Sequence, residues 1–416
     1  MRKVAIIGAG AAGVVCAICA CNKNREVILF DKNPYVGKKI LATGNGRCNY
    51  WNSDQLLVHY HSNNEELLPD IITEKLEKEV LSFFDLLGVV PIIKNGYYYP
   101  YSNQASSIRD LLEEEARRRG VIFSFNTEVL DVFREKEQFV ILTKDGSEYF
   151  DDLVIATGSK ASPKTGSTGD GYRFACQFGH HLAPVRPALV QLVSNRKFLK
   201  KWAGVRTSCS VSLYSDGCFI RKEEGEIQLT DYGVSGICVF NLSRFATQFL
   251  MQKKAVELKI NFLPFLDGLS EDEQMRWFIE RSRKISFGTI VHFLEGILPY
   301  KLISVLLDCA FISSRDTWFG LSVEKQRKLI SLILQFPLPI CASKDYSSAQ
   351  VCSGGVLLSE VSSCLESKIV PRLYFVGEVL DVDGDCGGYN LGFAWMSGLL
   401  VGKVIGGLEN DSDATN

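Results

Sequence analysis

VAIIGAGAAGVVCAICACNKNREVILFD, from Val4 to Asp31, is the stretch that decides how this 416-residue chain is read. Val4 to Ile7 suits a short buried strand, Ala11 to Cys21 a helix, and Glu26 to Phe30 a second strand ending at Asp31. Gly8, Gly10, Ala12 and Gly13 occupy the turn and the helix start. The first glycine permits a tight turn, the second lets backbone approach a pyrophosphate, and the third allows close strand–helix packing, while the helix N-terminus favours phosphate charge. Asp31, 18 residues beyond Gly13, is placed to accept from ribose hydroxyls, with Lys32 beside it. The pattern predicts a βαβ dinucleotide-binding unit.

Composition sets the surroundings of that unit. A hydrophobic content of 46% supports a large core and more than one domain. Forty-six Lys and Arg against 48 Asp and Glu leave a net charge of −2, which argues against nucleic acid or an anionic membrane as partner and for a small-molecule substrate. The 13 cysteines are scattered instead of forming a dense disulfide framework, which suits a reducing compartment. Cys16 and Cys19 form a CxxC, but no second pair or nearby histidine completes a zinc site, so they read as small core residues and no metal is expected. Met1-Arg2-Lys3 before an apolar run resembles a secretory signal, yet the glycine spacing marks a strand–helix turn that stays in the protein. No apolar run is long and uncharged enough to span a bilayer, and the expected location is the cytoplasm.

Three further motifs extend the first. Gly37 to Asn49 reads GKKILATGNGRCN: its glycines expose backbone, while Lys38, Lys39 and Arg47 bring positive charge, and Thr43, Gly44, Asn45, Gly46, Cys48 and Asn49 bring donors for phosphate or ribityl oxygens. Dithiol catalysis at Cys48 is not expected, because position 53 is Ser53 and the next cysteine is Cys176. Leu153 to Gly158 is a buried strand ending in Thr157-Gly158, and Val129 begins a strand expected to flank the adenine. Near the C-terminus, Gly377-Glu378, Asp381 and then Gly388-Tyr389-Asn390-Leu391 place a glycine-led helix start where it would favour negative charge on a reduced flavin. Together they narrow the ligand from any dinucleotide to FAD in an extended pose, held by both ends of the chain.

The expected organisation is an α/β two-dinucleotide-binding-domain flavoprotein with a Rossmann-like FAD domain and an inserted β-barrel-like and helical region. Residues 1–186 would form the first part of the FAD domain, 187–269 an antiparallel β substrate domain, 270–336 a helical domain, 337–360 return strands, and 361–416 the C-terminal FAD part, with a polar tail from Glu409. Ser270 with Glu273 reads as a capping box. Trp318 and Phe319 could line a substrate wall, although packing among helices is their ordinary use.

The strings GKKILATGNGRCN, TGSTGDGY (Thr165 to Tyr172), LTDYGVSG (Leu229 to Gly236), SGGV (Ser353 to Val356) and LYFVGEVLDVDGDCGGYNLGFA (Leu373 to Ala394) together resemble the BaiN-type, or aminoacetone-oxidase-like, NAD(P)/FAD-dependent oxidoreductases. The resemblance spans essentially the whole chain and implies reduction of a ring carbon–carbon double bond conjugated to a ketone, as in bile-acid intermediates. It departs at Asp231, where the family pattern has His, and at Gly392, where it has Gln. The leading expectation is an NAD(P)H-driven reductase with hydride passing through flavin N5 and with Tyr232, Asp231 and Tyr389 as candidate proton donors. No second GxGxxG follows a strand, so NAD(P)H would be a transient visitor. That leaves a flavin oxidase of an amine or amino ketone, and a flavin redox sensor without turnover, as the alternatives. His180 and His181 read as structural.

Overall fold

The computed structural model describes residues 1–285 and 288–407, and the polar tail read from Glu409 onward lies outside them. Two compact units emerge, one made of residues 1–186 with 350 onward and the other of residues 187–349.

The first unit is built on a five-stranded parallel sheet in the order Leu373–Phe375, Asp152–Ile155, Arg2–Ile7, Arg25–Phe30, Ile122–Ser124. The strand read from Val4 is central, and its residues Val4 to Ile7, with Val27 to Phe30 and Leu153 to Ile155 on its two neighbours, are buried on both faces, which is why they are continuous apolar runs instead of alternating ones. Ile7 is level with both Phe30 and Ile155, so the three strand ends that matter for a ligand stop together. A three-stranded meander, Val129–Glu135, Gln138–Thr143 and Gly146–Phe150, turns at Asp145-Gly146 as its hairpin signal predicts.

The helix Ala11–Ala20 packs against the last helix, Tyr389–Gly406, through side chains that are almost absent. A Cβ on Gly398 would lie 2.4 Å from the Ala12 carbonyl oxygen, and one on Gly402 would lie 2.6 Å from the Cys19 Cβ. Cys16 and Cys19 are therefore packing residues at a close helix crossing, and burial raises both thiols. This contact joins the two ends of the chain into one layer beside the sheet.

The helix Leu68–Ile71 is followed at once by Glu74–Leu86, which is started by Thr73, whose hydroxyl accepts from the Leu76 amide at 3.2 Å. Cys218–Leu229 runs as one strand across Gly225, because its partner Arg206–Ser215 pairs along the whole length and carries the ladder through that glycine.

In the second unit a seven-stranded antiparallel sheet runs Phe336–Ile340, Val256–Asn261, Arg206–Ser215, Cys218–Leu229, Gly233–Gly236, Leu192–Val193, Ala342–Ser343. Its two edge strands are separated in sequence by Cys341 alone, so the sheet must curl towards closure, as the expected barrel-like region requires. The expected division between a β domain and a helical domain does not match the packing. Phe278, Leu302 and Ile333 from the helices share one core with Val211 and Leu258 from the sheet. Trp318 is inside it, 4.8 Å from the Phe293 ring. The chain re-enters the first unit at residue 350, earlier than the expected 361, because Gly355 and Val356 already bond to Ala183, Val379 and Asp381. Among the described residues no helix is long and apolar enough to cross a membrane.

Candidate functional site

The three fingerprint glycines are required for different reasons. Gly8 has φ +108°, and a Cβ there would lie 2.4 Å from the Ala156 carbonyl oxygen; on Gly13 it would lie 1.9 Å from the Gly8 oxygen. The fold itself demands both. Gly10 has an ordinary extended backbone and nothing within 4 Å of where its Cβ would stand. No protein contact explains the bare position, which keeps clear the N-terminus of a helix with no side-chain cap and no acid in its first turn.

Asp31 braces this turn. Its carboxylate accepts from the Ala9 amide at 2.7 Å and from the Asn33 amide at 2.7 Å. The cations that the sequence aimed at phosphates have partners within the protein. Lys32 bonds Thr168 and Asp170, each at 2.7 Å, Lys38 donates to the Asn33 Oδ1 at 2.9 Å, and Lys39 pairs with Glu378 at 2.6 Å. The Lys39–Glu378 pair ties the second motif to the fourth. Glu378 also accepts from the Ser159 hydroxyl at 3.2 Å, next to Thr157-Gly158, so a single carboxylate links three motifs.

Gly37 to Asn49 is more ordered than a solvated loop. Within its 3-10 stretch Ile40–Gly46, the residues Gly44, Asn45 and Gly46 all adopt positive φ, and the Cys48 amide closes the turn on the Thr43 oxygen at 3.1 Å. Cys48 is buried, and burial pushes its thiol up to about 11, which makes it a poor nucleophile. Arg47 lies 5.3 Å from the centre of the Tyr99 ring. Asn49 presents a buried Oδ1 with no hydrogen-bond partner. An acceptor left open in this way is the kind of group a ligand donor would satisfy.

Thr157-Gly158 and Gly377 flank the same turn. Gly377 has φ +70°, a Cβ on it would lie 2.9 Å from the Ala12 Cβ, and its amide donates to the Ser397 hydroxyl at 3.0 Å. Val129 is buried at the start of the meander. Asp381 is buried too, but its carboxylate is taken up by the Asn63 amide at 2.9 Å, the Asn63 side chain at 3.0 Å and the Ser62 hydroxyl at 3.3 Å. It fastens that segment instead of facing open space.

The C-terminal helix start holds a network that sequence reading missed. Asn390 pins the preceding loop, accepting from the Gly384 amide at 2.9 Å and donating back to its carbonyl at 2.8 Å, while Leu391 is half-buried one position on. At Gly388, φ +99°, a Cβ would lie 2.8 Å from the Trp51 carbonyl carbon, which brings Tyr389 against the Asp54 to His61 segment. The Tyr389 ring stacks on His59 with centroids 4.5 Å apart. Both nitrogens of His59 face carboxylates, Asp385 and Asp54, each at 3.1 Å, and His61 reaches the other Asp385 oxygen at 3.1 Å. Burial, with Asp54, Tyr97 and Asp385 nearby, raises the Tyr389 phenol above the ordinary tyrosine range. Among the described residues no group of three or more His, Cys, Asp or Glu is placed to hold a metal ion, so this is a hydrogen-bond network. Its only trace in sequence is two histidines at alternate positions, His59 and His61, far from Asp385.

Asp231 and Tyr232 lie in the second unit, at the turn after Cys218–Leu229, where the Lys344 ammonium sits 4.1 Å from the Tyr232 ring centre. A side chain at Gly392 would meet Gln55 Oε1 at 3.1 Å and the Tyr60 hydroxyl at 3.3 Å, so here an amide from Gln55 fills the space beside that helix position. His180 bonds Ser367 at 2.7 Å and Glu360 at 3.2 Å, a satisfied structural histidine.

A parallel sheet with a bare glycine turn at the end of its central strand, flanked by returning loops, defines a Rossmann-type α/β protein. The family described as HI0933-like protein Rossmann domain matches residues 2–404, and the chain belongs to it. It is 38% identical over 408 residues, 97% of this chain and 99% of the other, to a 3-dehydro-bile acid delta(4,6)-reductase of Clostridium scindens. It is also 30% identical over 397 residues, 94% of this chain and 95% of the other, to a ribosomal RNA dihydrouridine synthase of Escherichia coli. A 3-ketosteroid delta1-dehydrogenase from Sterolibacterium denitrificans has a similar fold, with a TM-score of 0.51 at 11% identity, covering 98% of this chain and all of that one.

Proposed function

We propose that this chain is an FAD-dependent oxidoreductase that reduces a carbon–carbon double bond conjugated to a carbonyl, with NAD(P)H as the electron donor. The observation that carries the reading is Gly10, bare where the fold does not need it, in a chain 38% identical to a delta(4,6)-reductase. The residues present fit the cofactor. Gly8 to Gly13 would receive the pyrophosphate, Asp31 the ribose, and Val129 the adenine side. Thr43 to Asn49, Thr157-Gly158, Gly377-Glu378 and Gly388 to Leu391 would hold the remainder, with the open Asn49 oxygen among the acceptors.

Bound FAD supplies the hydride transfer between the nicotinamide donor and the alkene. The part left to the chain is the proton. Reduction of an enone adds hydride at the β-carbon and a proton at the α-carbon while charge develops on the carbonyl oxygen. Tyr389, kept neutral by burial, would serve as the proton donor. Asp385 and Asp54 fix His59, and the stacked imidazole fixes the Tyr389 ring.

In the first reading the acceptor is a steroid-like 3-oxo-enone. The ribosomal RNA dihydrouridine synthase relative supports a second, because the C5–C6 double bond of uracil is conjugated to the C4 carbonyl and poses the same chemical problem. Anaerobic stopped-flow absorbance of the yellow protein tests both. Prompt bleaching by NADH or NADPH is expected, followed by reoxidation by a 3-oxo-Δ4 steroid or by uridine-containing RNA. Bleaching by amines alone, with fast reoxidation by oxygen, would overturn the reductase in favour of an oxidase; slow bleaching with no acceptor turned over would point to a sensor.

A further inference from the structure

The net charge of −2 is an average over two unlike units. Residues 187–349 hold 21 Lys and Arg against 16 Asp and Glu, a balance of +5, so the rest of the chain carries −7. Part of the excess is concentrated on one face of the second unit. Arg196 and Lys197 are exposed just before the short helix Leu199–Trp202, which adds exposed Lys200 and Lys201. This helix packs beside Tyr300–Ala310: Lys201 reaches Asp308 at 2.5 Å, and Lys301 donates to the Ala203 carbonyl at 3.0 Å. The helix Val323–Leu334 also packs against Tyr300–Ala310 and brings exposed Lys328 beside the residue that follows Ala310.

A second observation points the same way. Phe311, which ends the helix Tyr300–Ala310, has φ +57° and is 78% exposed. Glycine is the usual residue at a left-handed helix end, and a bulky side chain there is strained. Phe311 thus combines a strained backbone with an apolar ring in water, and its neighbour is the Lys328 ammonium, 4.6 Å from the ring centre. Folding gains little from that arrangement. An aromatic ring bordered by cations is what single-stranded nucleic acid uses, the bases stacking on the ring and the phosphates meeting the cations.

We infer that this face of the second unit, with the cations Arg196, Lys197, Lys200, Lys201 and Lys328 and the exposed ring of Phe311, binds single-stranded RNA. The inference deepens the uracil reading above and rests on it for the role of the RNA, since reduction of a uridine within RNA needs the strand held outside the reacting ring.

Fluorescence anisotropy with a labelled uridine-rich RNA oligonucleotide and the whole FAD-loaded protein tests it. Binding is expected to weaken steeply with salt, by about 0.7 in log K per log salt for each phosphate met. Charge reversal at Lys200, Lys201 and Lys328 together should weaken it at least tenfold and flatten that slope. Phe311→Ala should weaken it about tenfold and leave the slope unchanged, as loss of one stacking contact would. Retained visible flavin absorbance and Tm show that the variants are folded, and reduction of a small 3-oxo-enone or of free uridine should be unaffected in them. Absence of binding at low salt, binding indifferent to both sets of substitutions, or binding to anionic phosphatidylserine vesicles instead of RNA would overturn the inference. Patch-dependent RNA binding without uridine reduction would leave the surface standing and remove the uracil reading.

Discussion

The two units use glycine and charge in opposite ways. The first holds 26 of the 35 glycines and carries −7; the second holds 9 and carries +5. In the first unit glycine is spent where backbone meets backbone, at Gly8 and Gly13 and along Gly398 and Gly402, or where space is kept open, at Gly10. The second unit instead closes an antiparallel sheet over a core of large side chains and shows its excess cations to solvent. Close approach of main chain suits the grip on an elongated, polar cofactor, while a basic exterior suits a charged partner.

The sharpest way to break this comparison is Gly10→Leu. Because the position is open and its backbone ordinary, the side chain should leave Tm nearly unchanged yet give a colourless protein, with FAD affinity reduced by more than about a hundredfold for a pyrophosphate contact physically blocked. Stoichiometric FAD in the purified variant would remove the assignment of the turn. Next in size is Tyr389→Phe, expected to slow alkene reduction by about a hundredfold with FAD content unchanged, as loss of a positioned proton donor does. A rate within threefold of the parent would exclude Tyr389 as donor and return attention to Tyr232 and Asp231.

Gly402→Leu probes the close helix crossing of the first unit. A side chain there must displace the Cys19 Cβ and the Cys16 carbonyl, and overpacking of this kind destabilises by about 3 kcal/mol, read from denaturant unfolding. The exposed glycines of the second unit, such as Gly217, meet nothing within 4 Å, so Gly217→Ala should cost only the strain of its positive φ, about 1 kcal/mol. Equal losses at the two positions would erase the contrast between the units.

The smallest effect concerns His180, whose pKa burial lowers, against the opposing pull of Glu360. The unfolded chain therefore takes up the proton more readily than the folded one. Stability from this group is present above the unfolded histidine pKa of about 6.5 and is lost as pH falls below it. In His180→Gln the fall of Tm between neutral and mildly acidic pH should be shallower than in the parent, and an unchanged slope would show that other groups dominate it.

Much of the first unit was legible in the sequence because its constraints are local. A glycine triplet after an apolar strand, an acid at the end of the next strand and a hairpin signal at Asp145-Gly146 each act within a few residues. The lysines were harder to read. Lys32, Lys38 and Lys39 have the composition of a phosphate cradle, but their partners Asp170, Asn33 and Glu378 include residues far away in the chain. The partition of charge was hidden for a similar reason, since the total of −2 conceals two unequal parts until the boundaries at 186 and 350 are known.

By itself the sequence determined the βαβ unit, the turn at Gly8, and the dependence of the helix start on small residues, because each follows from turn sterics and hydrophobic period over short spans. Only the tertiary structure decided that Gly10 faces open space, that Tyr389 rests on a histidine clamped by Asp54 and Asp385, and that Phe311 stands strained beside the Lys328 ammonium. Those facts depend on which distant side chains arrive at one place, and no local spacing encodes that arrival.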